Sequence, residues 1–403
     1  MKKILYFVLL TALFTFCNAC KKQQAYHALI VTGQNNHNWQ ASSEILKQIL
    51  DETGMFTTDI ARSPAQGKDM GSFSPDFQKY DVVIMDYTGD SWSEQTKTAF
   101  VDYVKNGGGV VIYHAADNAF PEWKEYNEMI GLGGWGDRNE KNGPYIYFKN
   151  DSLITDTTPG NAGSHGERHE FLVRTRNNEH PIMRGLPDSW MHAEDELYSQ
   201  LRGSAKNMDI LATAYADTSK HGTGRDEIVL LTVNFEKGRI FHTALGHSGS
   251  DTTYFPALEC AGFITTLQRG AEWAASGVVT QPVPAEFPNS ASVVQWPDFK
   301  SLSLEQIMGR IENYDINKSR KYFYDLQNRI RSSDGKPETL LPYEKVMVKS
   351  LKKNSTSVSA KKLLIRELSW MGSEYCLPTL KAFLEDPELK DEAQFALARL
   401  ESK

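Results

Sequence analysis

Apolar runs and amphipathic stretches alternate through the first two-thirds of the chain. Tyr26 to Gly33 (YHALIVTG) is a short apolar run closed by glycine, and it predicts a buried strand. In the following WQASSEILKQILDETG, Ile45, Leu46, Ile49 and Leu50 recur at helical spacing, with Gly54 placed to cap the helix end. YDVVIMDY is a second near-continuous apolar run, and Trp92 to Lys105 predicts the next helix. GGGVVIYH, from Gly107 to His114, is the third strand. Strands without a polar face, alternating with helices, predict a parallel sheet covered on both sides.

The pattern then loosens. Residues 121–225 carry long polar stretches such as GDRNEKNGP and DTTPGNAGSHGERHE, which read as excursions on the rim of the sheet. Ile228 to Asn234 and Arg239 to Leu245 predict two strands joined by a turn at Glu236-Lys237-Gly238. ALECAGFITTLQRGAEWAASG reads as a closing helix that ends near Gly277. Four prolines in residues 278–300 suit a linker or a strap across the first domain. Beyond it no strand-like run remains. SAKKLLIRELSWMGSEYCLPTLKAFLEDPELKDEAQFALARLES reads as three short helices broken at Gly372 and Asp386-Pro387, a rhythm that resembles HEAT-type repeats. One such repeat cannot bury its own face, so residues 301–355 are expected to complete a small helical domain over 301–403.

The N-terminus changes the cellular picture. MKKILYFVLLTALFTFCNAC places two lysines before an apolar run too short to span a bilayer comfortably, as in a secretory signal over residues 1–20. A small residue and Cys20 follow that run, as in a bacterial lipoprotein, although Cys17 stands where such signals usually carry leucine. The expectation is an exported protein, periplasmic or on the cell surface, held to a membrane only by a lipid on Cys20. Past residue 20 only Cys260 and Cys376 remain, so a disulfide scaffold is excluded. The formal charge is −7 and there is no basic stripe, which argues against a nucleic-acid partner.

Four segments, VVIYHAADNAF, HPIMRGLPDSWMHAEDELY, GRIFHTALGHS and LQRGAEWAA, occur in an order and spacing that resemble the ThuA-like (trehalose-utilisation) family over about residues 25–277. The resemblance implies a flavodoxin-like α/β fold, related to the class I glutamine amidotransferase domain, with a parallel sheet and helices on both faces. It also implies a role in disaccharide catabolism near 3-keto-glycosides. Amidotransferases of this fold keep a nucleophilic cysteine on a sharp turn after a central strand. Here that turn reads Tyr113-His114-Ala115-Ala116-Asp117, with no cysteine, serine or flanking glycine, so a glutaminase is not expected.

The polar residues at the strand ends are the candidates for chemistry. They are His114 with Asp117 as its orienter, His192, Glu194 and Glu196 in MHAEDELY, and His247 in ALGHS. On an extended chain His192, Glu194 and Glu196 share one face and Asp195 the other. A histidine beside two carboxylates suits either acid–base catalysis or a divalent metal such as Zn or Mn. His192, Glu194, Glu196 and His247 are the candidate ligands. Asn36, His37 and Trp39 are placed to bind a sugar after the first strand. His165 and His169 have the spacing of a helical pair, but the surrounding glycines speak against a helix and they are set aside.

The expected protein is therefore a carbohydrate-processing one, acting on or binding a disaccharide or 3-keto-glycoside at the carboxyl edge of the sheet. As an enzyme it would be a hydrolase, lyase or isomerase. The alternative is a non-catalytic sugar-binding or scaffolding lipoprotein whose C-terminal helices dock a protein partner.

Overall fold

The structure, a computed structural model, describes residues 26–249, 255–295, 304–315, 320–333 and 335–401. The expected signal and Cys20 lie outside the described residues. The chain opens with β1 (Tyr26–Thr32), α1 (Trp39–Asp51), β2 (Phe56–Arg62), β3 (Val82–Met85), α2 (Glu94–Lys105) and β4 (Gly109–Tyr113). There follow α3 (Lys124–Ile130), β5 (Tyr145–Lys149), β6 (Ser152–Asp156), β7 (His169–Thr175), β8 (Ser189–Asp195) and β9 (Met208–Tyr215). β10 (Asp226–Phe235), β11 (Gly238–Thr243), α4 (Pro256–Glu259) and α5 (Ala261–Ser276) complete the α/β part. The remaining helices are α6 (Leu304–Glu312), α7 (Lys321–Ser332), α8 (Pro337–Leu351), α9 (Val358–Met371), α10 (Leu377–Ala382) and α11 (Lys390–Glu401).

The sheet runs β2-β1-β3-β4-β11-β10-β9-β7-β8. Its first five strands are parallel, in the doubly wound order of flavodoxin-like folds. Both faces of this half are buried. Ala28 and Ile30 of β1 belong to one apolar cluster with Leu46 and Leu50 of α1 and Phe263 and Leu267 of α5, whereas Leu29 and Val31 belong to the cluster on the other face with Phe100 and Val104 of α2 and Met129 of α3. That two-sided burial is why these strands read as continuous apolar runs. Gly270 lets α5 settle on the sheet, since a Cβ there would stand 2.1 Å from the Phe241 ring.

The second half corrects the expectation of rim loops over 121–225. That stretch supplies β5 to β9, and from β10 onward the main sheet is antiparallel. The expected parallel sheet is therefore a mixed one. These strands escaped the apolar-run criterion because several bury only one face or neither; β6 has no buried residue at all.

The proline-rich segment lies along this half as a strap. Met191 N–H donates to the Asn289 carbonyl at 2.8 Å, Ala261 N–H to that of Val294 at 2.8 Å, and the Phe287 ring packs on Trp190 at 5.4 Å. Helices α6 to α11 enclose their own apolar cluster around Leu326, Met347, Leu364 and Leu380. The Tyr322 hydroxyl of α7 donates to Glu52 at the end of α1 at 3.1 Å. Among the described residues no helix is long and apolar enough to cross a membrane.

Candidate functional site

The parallel strands β1, β4 and β11 end on one edge of the sheet, and each is followed within five residues by a histidine: His37, His114 and His247. The loop after β11 can close on them because Gly246 adopts φ +106°, and a Cβ there would strike the rings of Tyr113 and Phe263. The Tyr113 hydroxyl donates to the Gly246 carbonyl and ties that loop to β4. Glu196, the first residue after β8, arrives from the far end of the sheet order. His165 arrives from the loop before β7.

These five side chains meet. The Glu196 Oε2 atom lies 3.8 Å from His37 Nε2 and 3.9 Å from His114 Nε2. Its Oε1 atom lies 3.1 Å from His247 Nε2 and 3.9 Å from His165 Nε2. Three of the rings are oriented from behind. His114 Nδ1–H donates to the Ala244 carbonyl at 2.7 Å, and His165 Nδ1–H to the Gly166 carbonyl at 2.8 Å. His37 Nδ1–H donates to Asn35 Oδ1 at 3.1 Å; the Asn35 amide in turn donates to Asp86 at 3.1 Å, which fixes which end of the amide faces the ring. A carbonyl oxygen only accepts, so in all three rings Nδ1 holds a proton, and the neutral form of each ring presents the Nε2 lone pair to the centre.

His114 is the most constrained of the group. It is 1 % exposed, its ring stacks on Tyr198 at 4.2 Å, and its Nε2 has no hydrogen-bond partner. Its backbone is left-handed, φ +44°, a conformation that costs a non-glycine residue about 1–2 kcal/mol. Burial, and then the neighbouring His37, push its pKa down to about 3, so the ring is neutral near neutral pH. Partial burial raises the Glu196 carboxyl, but the surrounding histidines in their protonated forms, His37 first, lower it below its usual range, so it is ionised near neutral pH. Burial likewise lowers His247.

Several expected site residues lie elsewhere. A bulge in β8 places one extra residue between His192 and Asp195 opposite β7. The alternation expected for MHAEDELY therefore fails: Glu194 turns to solvent and Asp195 joins His192 inside. His192 is accordingly neither base nor ligand at the centre; its Nε2–H donates to Asp195 Oδ2 at 2.7 Å in a fully buried pair. Asp195 also accepts from the backbone N–H groups of Glu196, Gly246 and His247 at 2.8, 2.8 and 3.0 Å, so it positions two members of the cluster. The Cys260 thiol is buried against His192, out of reach of any substrate.

Asp117 does not orient His114. It is buried beneath the edge, 3.4 Å from His242, whose Nδ1–H donates to the Ile130 carbonyl. Of Asn36, His37 and Trp39 only His37 joins the cluster; Asn36 is exposed and Trp39 is the half-buried first residue of α1. His165 was set aside on sequence because a glycine-rich segment has no periodicity from which to place it. Asn35 and Tyr198 carried no sequence signal.

A carboxylate ringed by imidazole lone pairs can move protons, and it can hold a divalent ion. His37, His114 and Glu196 present donor atoms all within 4.8 Å of one another. Beside them the half-buried Trp135 ring sits 4.6 Å from Tyr198 and 6.3 Å from His165, an apolar wall next to a polar centre.

Comparison with known proteins follows the same boundaries. The family model described as ThuA, trehalose utilisation, matches residues 27–274. A ThuA-like protein of known structure from Parabacteroides merdae ATCC 43184 shares 51% identity with a TM-score of 0.66, over 68% of this chain and 98% of its own. A second ThuA-like protein, from Bacteroides uniformis ATCC 8492, shares 18% identity with a TM-score of 0.43, over 64% of this chain and 94% of its own. No curated protein matches the chain.

Proposed function

The chain belongs to the ThuA family, and from that premise we propose that it is a carbohydrate-processing enzyme acting on a disaccharide or 3-keto-glycoside at the carboxyl edge of its sheet. The carrying observation is the convergence of His37, His114, His165 and His247 on Glu196, with the His114 Nε2 atom buried and unpartnered. The His114 Nε2 atom is aimed at the Glu196 carboxylate, 3.9 Å away, where three other histidines also converge. The reaction class that fits is proton removal next to a carbonyl, followed by reprotonation or by loss of the glycosidic oxygen. Trp135 offers the sugar a stacking face beside the centre. Export and anchoring through Cys20 are carried forward as part of this proposal.

The test is turnover of a panel of 3-keto-glycosides and their parent disaccharides by the purified protein and by its His114→Ala and Glu196→Gln variants. Consumption of a keto-glycoside by the parent, with kcat/KM reduced at least about 100-fold in both variants, supports the reading. Variants as active as the parent, or no glycoside accepted, overturn it.

A further inference from the structure

We propose that His37, His114 and Glu196 form a mononuclear divalent transition-metal centre. The inference takes the same cluster as the active centre and names what it holds. Donor atoms around an ion bonded at about 2.0–2.2 Å stand roughly 3–4 Å apart. The 3.8 and 3.9 Å separations between Glu196 Oε2 and the two Nε2 atoms match that spacing, and they are too long for hydrogen bonds. The lone-pair tautomer of each ring is imposed by an acceptor behind it, Ala244 O for His114 and Asn35 Oδ1 for His37. Histidine ligands are held in this way, with the second nitrogen donating outward. For His37 the outer support runs one step further, from Asn35 to Asp86.

Two further features point to a ligand and not merely to a packed polar cluster. His114 Nε2 is buried without a hydrogen-bond partner, at a residue held in a strained backbone conformation. An ion would satisfy that atom. His247 Nε2 stands 3.1 Å from the other carboxylate oxygen, Oε1, so it braces Glu196 while Oε2 turns to the two ligands. Two histidines and one carboxylate leave coordination positions open, the pattern of a catalytic and not a structural site. In such a centre the open positions receive the carbonyl or hydroxyl oxygens of the substrate, and the ion polarises them.

The experiment is metal analysis of the purified full chain by plasma mass spectrometry, before and after chelation. It is followed by titration of the metal-free protein with Zn²⁺, Mn²⁺ and Co²⁺. One ion per chain, retained on dialysis and lost in His37→Ala and Glu196→Gln, is expected. Co²⁺ should give visible bands that those variants abolish. His27→Ala, at an exposed histidine near the start of β1 and so at the opposite end of that strand from the cluster, should bind as the parent does. Circular dichroism and thermal melting identify any variant that fails to fold, and Glu196→Gln, the mildest change, then carries the comparison. Substoichiometric metal together with no Co²⁺ band, or binding unchanged in folded variants, overturns the centre. Stoichiometric metal with no glycoside turned over defeats the substrate assignment alone. Full turnover by the metal-stripped protein defeats the metal alone.

Discussion

Asp195 and His192 stand three residues apart on one strand, yet their side chains meet at 2.7 Å in the core because the chain bulges between them. Burial alone lowers the His192 pKa, but Cys260 and Asp195 beside it hold it up at about 10, and Asp195 stays below the usual carboxylate range. The pair is therefore a buried ion pair whose carboxylate also gathers three backbone N–H groups. Asp195→Asn leaves a charged or unpaired imidazole inside and weakens the anchoring of the 246–247 loop. The expected loss is about 3–5 kcal/mol of stability, read from the urea midpoint, with a smaller added loss when His192→Asn is combined with it.

His114 offers a test of strain. In ordinary backbone, alanine is more stable than glycine by about 0.5–1 kcal/mol. At φ +44° the order reverses, so His114→Gly should unfold at higher urea than His114→Ala, by about 1 kcal/mol, although neither restores the centre. Equal midpoints, or alanine above glycine, would remove strain from the account of this residue.

Asp86 sets a pH dependence whose sign is unusual for a carboxylate. It is wholly buried, and burial raises its pKa to about 7 despite hydrogen bonds from Ser42, Thr32 and Asn35. Between the unfolded value near 4 and that raised value the native state holds the extra proton. Stability should therefore fall as pH rises from about 4 to about 7, by roughly 4 kcal/mol from this group, and level off above. Asp86→Asn should flatten that limb when urea unfolding is followed across the range.

Gly270 permits the close approach of α5 to β11. A methyl group there would collide with the buried Phe241 ring. Gly270→Ala, usually a stabilising change in a helix, should instead cost about 1–3 kcal/mol by overpacking, seen as a lower melting temperature.

The parallel half of the fold was legible because burial on both faces writes itself as an apolar run. The same reading located His114, since a polar residue ending such a run stands at the ligand edge. Glu196 and His247 were found by their chemistry, and His37 by its place after the first strand. What the sequence hid is local geometry. A bulge adds one residue, so strict alternation assigns Glu194 the inward place that Asp195 occupies and assigns Asp195 the outward place of Glu194. Asp117 looked like the orienter of His114 because it is near in sequence, but the acceptor that orients that ring is a backbone carbonyl on β11's exit, 130 residues away. Backbone acceptors carry no residue signature.

The centre draws its side chains from positions 37, 114, 165, 196 and 247, and its last member stands beyond the strand that closes the parallel half. A chain still leaving the ribosome therefore has no complete cluster until β11 has emerged and docked beside β4. Because these contacts span long stretches of chain, the cluster is expected late in folding. Any ion or sugar that binds only the assembled cluster stabilises the whole α/β domain against unfolding, not one loop of it. Ligand binding thus doubles as a report that synthesis and folding of this domain have finished.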